Sequence, residues 1–310
     1  MPVRLVPYRD DAVDFPRVLA YLRGVWSDPD FLLDFHPGDA VWQRFARGAA
    51  GFEAAVRIAL WEDDADGRVV GMTWYDDPGE VLVSVHPGLP TAEVGPLLDA
   101  MLGWCEGRRA IYAERGEPSD ALTVSCRRED ARMESLLAER GFATDGAVVF
   151  RSSRRSLLDE LPERPLAAGY RIADLTDEAL IPERVAIHRE VWHPSSVTEA
   201  GYREMRAQPL YDPALDLVAV SDDGEAAAYA VCWLDAETRT AIFEPVGARA
   251  AHRRRGLTAA VLAEAMRRCR ERGAKTIDVL NSTLPKYVPS AALYDSVGFH
   301  PVGHWRSWTR

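Results

Sequence analysis

The sequence predicts an α/β chain with two domains of similar design. Its 310 residues exceed the usual size of a single domain and fit two domains of about 150 residues each. Apolar residues with the twofold period of strands alternate along the chain with longer stretches of helical period. Because the order of these elements repeats after about 160 residues, we expect one domain in each half.

Turn signals and helix boundaries divide the first half. Asp63–Gly67 is rich in aspartate and ends in glycine, which predicts a tight turn between two strands. A helix starting at Glu129 should stop at Gly141, because glycine commonly follows the last helical turn. The expected elements are strands at 3–7, 55–61, 68–75, 80–85, 121–125 and 148–151, and helices through 18–26, 41–52, 91–106 and 129–140.

The second half shows the same succession of patterns. Turns at Asp222–Gly224 and Asp235–Thr238 separate three apolar strands. The expected elements are strands at 170–174, 215–221, 226–234, 240–246, 276–280 and 304–309, and helices at 181–191, 198–207, after Gly256 and at 290–297. The proline-rich, charged stretch Asp159–Gly169 is typical of a linker, which places the domains at residues 1–160 and 168–310.

The composition favours a globular protein and argues against nucleic acid as a partner. Apolar residues make up 47% and charged residues 27% of the chain, and the formal net charge is −11. The sequence shows no signal pattern or long apolar run, so we expect a cytoplasmic protein without a membrane segment.

The four cysteines lack metal-ligand spacing, so we expect reduced, mostly buried thiols and no metal site. The oligomeric state stays open.

One stretch, Thr240–Arg272, combines a strand, a basic loop and a helix. The loop His252–Gly256 carries three consecutive arginines, and the residues after Gly256 have the period of an amphipathic helix. A helix N-terminus offers free backbone N–H groups and the positive end of the helix dipole. The stretch therefore predicts an anion site, most simply for a phosphate; the alternative is a solvated loop.

The spacing in this loop resembles the coenzyme A loop of GNAT-type N-acetyltransferases. Arg253-x-x-Gly256-x-Thr258 is similar to the family's Arg/Gln-x-x-Gly-x-Gly/Ala pattern, with threonine in the last position. Downstream, Leu293 to Phe299 resembles the family's L-Y-x-x-x-G-F ending. The resemblance implies two GNAT-like α/β (α+β) domains, each with a mixed, largely antiparallel sheet flanked by helices.

By the same resemblance, the C-terminal domain binds acetyl-CoA as co-substrate. The loop and the start of the helix are expected to hold the pyrophosphate, and strand backbone the pantetheine arm, with the Val246 N–H near the thioester oxygen. The side chain of Val246 could equally only pack. Tyr287 stands where many family members have an asparagine. The expected cofactor-binding residues are Val246, Ala248, Arg253, Arg254, Arg255, Gly256, Leu257, Thr258 and Asn281.

Two side chains are candidates for proton transfer. Tyr294 stands where the family commonly has the tyrosine that protonates the departing sulfur; the alternative is a core aromatic residue. Glu244 is an acid in an apolar strand, and strand alternation should place it on the same face as Val246. It is either a general base for the amine or the ion-pair partner of an arginine. Acceptor contacts are expected among His188, Glu190, Trp192, His193, Tyr202, Tyr211 and Trp233.

The first half keeps the pattern of the second half without its polar residues. A proline there also removes a backbone N–H that could bind phosphate. We therefore expect a degenerate GNAT-like first domain without cofactor. The residues that fall opposite each other are 92–94 and 253–255, Gly95 and Gly256, Pro96 and Leu257, Val83 and Glu244, and Leu137 and Tyr294.

The predicted function is acetyl-CoA-dependent N-acetyl transfer to a primary amine of a small molecule. The amine attacks directly, without a covalent enzyme intermediate. A tandem architecture with a degenerate first half is also similar to mycothiol synthases, which acetylate a cysteinyl amine. A non-catalytic acyl-CoA-binding sensor, which would keep the phosphate loop without turnover, is the rival from another class. The sequence does not single out the acceptor.

Overall fold

Twelve strands and nine α-helices are formed by the residues that the computed structural model describes, 3–28, 35–48, 51–285 and 288–310. The strands are β1 (Val3–Pro7), β2 (Ile58–Asp63), β3 (Val69–Tyr75), β4 (Glu80–Val85), β5 (Thr123–Arg127), β6 (Val148–Ser156), β7 (Tyr170–Asp174), β8 (Asp216–Ser221), β9 (Ala226–Asp235), β10 (Thr240–Ala248), β11 (Thr276–Ser282) and β12 (His300–Thr309). The helices are α1 (Asp11–Trp26), α2 (Pro37–Phe45), α3 (Ala54–Arg57), α4 (Thr91–Glu114), α5 (Ala131–Glu139), α6 (Ile181–Val191), α7 (Glu199–Arg206), α8 (Leu257–Glu271) and α9 (Val288–Ser296).

The first compact unit comprises Met1–Asp34, Glu53–Arg151 and Gly303–Arg310. Its strands lie in the order β1-β2-β3-β4-β5-β12, antiparallel except for the parallel pair β4 and β5. The long helix α4 buries its apolar face against this sheet. Leu98, Met101 and Cys105 on that face are fully buried. They are three and four residues apart, the spacing of an apolar stripe on a helix.

The second unit comprises Phe35–Phe52 and Ser152–Val302. Its strands lie in the order β6-β11-β10-β9-β8-β7. The run from β7 to β10 is antiparallel, and β10 and β11 are parallel. Helix α8 packs its buried residues Val261, Leu262 and Ala265 against β8, β9 and β10. The prediction of mixed, largely antiparallel sheets flanked by helices is confirmed.

The limits of the two units differ from the expected division at residues 160 and 168. Residues 35–52, from the first half, belong to the second unit because α2 packs against α7 and β9. Gly38 makes this possible, since a Cβ there would stand 2.2 Å from the Trp233 side chain. At the other end, residues 303–310 join the first unit because β12 pairs there with β5.

The expected linker and several element boundaries also need correction. Leu157 is fully buried in the core of the second unit, and Leu161 packs against that core, so the stretch before Gly169 is anchored rather than free. Residues 55–57, expected in a strand, belong to the helical turn Ala54–Arg57. The last helix, expected at 290–297, spans Val288–Ser296. Within the described ranges, no helix combines the length and the apolar character needed to cross a membrane.

Candidate active site

A β-bulge interrupts β10 beside Glu244. Phe243 pairs with Cys232 and Val246 with Ala230, so β10 takes three steps where β9 takes two. The extra residue reverses the alternation of side chains, and Val246 packs against the same core as Phe243. The expectation that Glu244 and Val246 share a face is therefore wrong: the bulge separates them.

Beyond the bulge, β10 and its parallel neighbour separate. Their pairing covers Thr240–Ile242 and Thr276–Asp278, whereas β10 continues to Ala248 and β11 to Ser282. The remaining part of β10 pairs on its other side with β9. The backbone of Val246 and Ala248 thus borders a gap between two parallel strands, where an extended amide-containing chain can add hydrogen bonds.

Glu244 is half-buried and forms no ion pair among the described residues. Burial alone raises the pKa of its carboxyl to about 7. An arginine partner would lower this pKa, so the described surroundings give no support to the ion-pair alternative. The strand at this point is held by Trp233, whose indole N–H donates to the Glu244 carbonyl oxygen at 2.6 Å.

Tyr294 lies on α9, buried in the core of the second unit. Its ring packs edge-on against Phe299, with 5.7 Å between the ring centroids. Burial raises the pKa of Tyr294, and the nearby Glu244 and Tyr229 raise it further. Tyr294 is thus a core aromatic side chain whose raised pKa keeps the hydroxyl protonated, and its role as the proton donor stays a prediction.

The loop before α8 leaves its helix N-terminus open. Gly256 is the N-cap residue, with a φ of 76° in the left-handed region that favours glycine. No side chain caps the first turn, and a Cβ added at Gly256 would meet nothing within 4 Å. The first N–H groups of α8, at Leu257 and Thr258, thus have no partner within the helix and receive no side-chain cap from Gly256. This is the arrangement that favours a phosphate.

The three loop arginines differ in their contacts. Arg253 donates from Nε to the Ala248 carbonyl oxygen at 3.1 Å, and Arg255 donates to the Tyr170 hydroxyl at 3.0 Å. Arg254 is exposed, has a φ of 63°, and makes no hydrogen bond or ion pair with any residue the structure describes. Arg253 and Arg255 thus shape the loop, while Arg254 is available to an anion.

Asn281 on β11 carries an unsatisfied amide. Its side chain is 5% exposed, and neither its Nδ2 nor its Oδ1 has a hydrogen-bond partner among the described residues. Buried amides are normally satisfied, so this one calls for a partner that the described residues do not supply. The residues present therefore fit a coenzyme A cofactor in two places, the open turn before α8 and this amide. Tyr287 lies outside the described residues.

Four of the seven expected acceptor residues divide into two groups. Tyr202 and Tyr211 donate to the buried carboxylate of Asp216, so they are structural. His188 and Trp192 instead approach Tyr229, a residue that the sequence reading missed. Tyr229 could have been found from strand register, because it pairs with Gly247 next to the bulge.

Comparison with known proteins places this geometry in a family. Residues 178–299 match the model of the acetyltransferase (GNAT) family. The second half of the chain therefore contains a domain that matches the GNAT family.

Further similarities extend over most of the chain. The chain is 27% identical over 270 residues to a mycothiol acetyltransferase of Clavibacter michiganensis, covering 81% of this chain and 83% of that protein. Its fold is similar to a GCN5-related N-acetyltransferase from Sphaerobacter thermophilus, with 17% identity, a TM-score of 0.66 and coverage of 99% and 95% of the two chains. It is also similar to a tandem GNAT protein from the clavulanic acid biosynthesis pathway, with 19% identity, a TM-score of 0.64 and coverage of 100% and 98%.

Proposed function

We propose that the chain is an acetyl-CoA-dependent N-acetyltransferase that acts on a primary amine of a small molecule. The observation that carries the proposal is Glu244. It is an acid without an ion-pair partner among the described residues, with a pKa near 7, beside the protonated Tyr294 and next to the gap between β10 and β11. Structural acids in sheets are normally paired, whereas proton-transfer groups need a pKa near the working pH.

The second unit supplies groups suited to the parts of acetyl-CoA. Arg254 and the open N–H groups of Leu257 and Thr258 suit the pyrophosphate. The backbone of Val246 and Ala248 suits the pantetheine arm, and the amide of Asn281 offers a further polar contact. When bound, the cofactor supplies an acyl group activated as a thioester.

The chain's own residues supply the proton transfers. An alkylamine is protonated at neutral pH and cannot attack until it loses a proton. Glu244, ionised above about pH 7, is the group placed to take that proton, directly or through water. Tyr294 keeps its phenolic proton at all physiological pH values, so it can donate but not accept one in this role.

Two alternatives define what the experiment must separate. Likeness to a mycothiol acetyltransferase favours a cysteinyl amine as acceptor, a narrower version of the same activity. A non-catalytic acyl-CoA sensor would need the phosphate loop and Asn281, but it would have no use for an unpaired acid of raised pKa beside Tyr294.

Thiol release from acetyl-CoA tests the proposal. The assay uses benzylamine, glucosamine and the methyl ester of S-methylcysteine, which represent an alkylamine, an amino sugar and a cysteinyl amine. We expect release that depends on the amine, with at least one of the three giving an N-acetyl product by mass spectrometry. Tight coenzyme A binding without amine-dependent release would favour the sensor.

A further inference from the structure

Tyr170 contacts the loop that precedes α8, although it lies 82 residues before His252 in the sequence. It opens β7, the last strand in the order of the second unit, where it pairs with Ser221 of β8. The chain after β10 runs back toward this strand, and the Arg249 N–H donates to the Ala227 carbonyl oxygen at 3.0 Å. The Tyr170 ring then packs edge-on against the ring of His252, with 5.8 Å between the centroids. A strand outside the loop therefore supplies one of its contacts.

The Tyr170 hydroxyl bonds residues on both sides of Arg254. It lies 2.8 Å from Nδ1 of His252, just before the three arginines, and accepts from Arg255, the last of them, at 3.0 Å. A phenolic hydroxyl can both donate and accept, so it can bond His252 in either protonation state of the imidazole. The Arg255 guanidinium also lies over the Tyr170 ring, 6.0 Å from its centroid. One side chain therefore connects the two ends of the arginine segment.

A network of ion pairs holds His252 in turn. Its Nε2 lies 3.1 Å from a carboxylate oxygen of Glu225, in the turn between β8 and β9. The other oxygen of that carboxylate pairs with Arg249 at 3.1 Å. Arg249 is buried at the start of the loop and also bonds Glu183 and Glu190 of α6, at 3.1 and 2.9 Å. The contact between Tyr170 and the loop is thus attached to both the sheet and α6.

The residue between the two bonds of Tyr170 has a backbone conformation that needs support. Arg254 has a φ of 63°, in the left-handed region that is unfavourable for a residue with a Cβ. Such conformations persist where the surrounding structure imposes them. The Arg254 side chain makes no hydrogen bond or ion pair with any residue the structure describes, so its neighbours in the loop must impose the conformation. Tyr170 bonds these neighbours at His252 and Arg255.

We infer that Tyr170 is a positioning residue for coenzyme A binding: its hydroxyl bonds the loop on both sides of Arg254 and keeps that arginine in the left-handed conformation that binds the pyrophosphate. The inference rests on the proposed function, which assigns the pyrophosphate to this loop. A loop that is ordered before the cofactor arrives loses less conformational entropy on binding. Because Tyr170 acts through the loop, it contributes to cofactor affinity rather than to proton transfer.

Removal of the hydroxyl tests the inference. Tyr170→Phe keeps the ring against His252 and under Arg255. Titration calorimetry should give about tenfold weaker binding of coenzyme A, with the melting temperature little changed. In the thiol-release assay, the KM for acetyl-CoA should rise by the same factor while kcat stays near the wild-type value. Tyr112→Phe in the first unit is the matched control, because Arg115 lies over that ring at 5.9 Å, and it should bind coenzyme A as the wild type does.

A double-mutant cycle distinguishes positioning of Arg254 from a general loss of structure. Glycine adopts the left-handed conformation without support and has no guanidinium to position, so Arg254→Gly should make binding insensitive to the Tyr170 hydroxyl. Tyr170→Phe should weaken coenzyme A binding about tenfold in the wild-type background but less than about threefold in the Arg254→Gly background. Equal losses in the two backgrounds, or no loss in the wild-type background, would overturn the inference.

The titration measures binding without turnover, so it separates failure of the inference from failure of the proposed function. A wild type that binds coenzyme A about tenfold better than Tyr170→Phe, but releases no thiol from acetyl-CoA with any amine, would refute only the proposed function. A wild type that acetylates an amine, but binds coenzyme A no better than Tyr170→Phe, would overturn only the inference. A wild type that does not bind coenzyme A would overturn both.

Discussion

The two units connect a strand to a helix in the same order but in different ways. In the first unit, residues 86–90 lead from β4 into α4, which begins at Thr91, and Gly95 lies inside that helix. In the second unit, residues 249–256 lead from β10 into α8, and Gly256 caps the helix in a left-handed conformation. The equivalence of Gly95 and Gly256 drawn from sequence register thus fails at the level of backbone conformation, because α4 starts one turn too early.

The strands before these connections differ as well. β4 keeps a constant register with β3, from Gly71 opposite Val85 to Tyr75 opposite Val81. β10 carries the bulge that turns Glu244 away from the core shared by Phe243 and Val246. Both units keep a short parallel pairing that ends early, β4 with β5 and β10 with β11. The shared fold therefore supplies the gap, and the bulge and the longer loop supply the candidate chemistry.

The first unit also fills the corresponding place with its own side chains. Arg140 donates to the Gly95 carbonyl oxygen at 3.1 Å and pairs with Asp99, so a cation of the chain lies beside Gly95. Leu137, fully buried, stands where the second unit has Tyr294. We therefore propose that the first unit is a GNAT-like domain without cofactor.

The largest expected effect comes from Tyr294, the residue of the second unit that corresponds to Leu137. Tyr294→Phe removes only the hydroxyl, and turnover should fall about 10²-fold because the proton donor is lost. Affinity for acetyl-CoA should change little. Stopped-flow measurement of the chemical step checks this, with Leu137→Met in the first unit as a control of wild-type rate. A chemical step as fast as wild type would leave Tyr294 a packing residue only.

Glu244→Gln should produce a loss that depends on pH. Below about pH 7 the wild-type carboxyl is itself protonated, so the two proteins should differ little there. At pH 8 the wild-type carboxylate is ionised while an alkylamine is still protonated, so the variant should be slower by tenfold to about 10²-fold. At higher pH, free amine accumulates and the rates should converge. Parallel pH–rate profiles from pH 6 to 10 would exclude the general-base role.

Stability supplies an independent measurement on the same acid. Its pKa is raised in the folded protein, from an ordinary value of 4.5 to about 7, so folding favours the protonated form. The wild type should therefore lose stability as pH rises from 4.5 to 7, and the glutamine variant should not. The melting temperature of Glu244→Gln relative to wild type should rise between pH 5 and pH 8. Val83→Ala in β4 should show no such pH dependence.

Changes in the loop should affect binding rather than chemistry. Arg254→Glu places a like charge beside the phosphates, and Gly256→Val strains a left-handed residue and obstructs the open helix start. Each should weaken coenzyme A binding at least about tenfold, about 1.4 kcal/mol. Arg203→Glu, an equal charge change at an exposed position of α7, is the control. Unchanged affinity in both loop variants would remove the loop from the site.

The sequence predicted best those structural features that depend on residues close together in the chain. Strands β4 and β7 and helix α6 begin and end where their periodicity indicates, because tight turns or capping residues bound them. The loop from Arg253 to Gly256 is predicted as an anion site from its arginines and the helical period after Gly256, and as a coenzyme A loop by resemblance to the GNAT family.

Non-local features were missed for a physical reason. The bulge beside Glu244 depends on the register with β9, and one inserted residue reverses a face without altering the apolar pattern. The assignment of α2 to the second unit depends on Gly38 meeting Trp233, two residues far apart in sequence. Tyr229 was overlooked because its position opposite Gly247 depends on the register between β9 and β10.

The smallest expected effect, none at all, concerns the first unit. Titration calorimetry should give one coenzyme A per chain, because α4 begins at Thr91 without an open glycine turn and Arg140 lies against Gly95. Glu93→Arg supplies the missing positive charge without rebuilding the backbone, so it should not create a second site. Arg254→Glu should abolish most binding in the same titration, which shows that the signal comes from the second unit. A stoichiometry of two in the wild type would mean that the early start of α4 does not prevent coenzyme A binding. The difference between the two strand-to-helix connections would then not explain why the cofactor binds in the second unit.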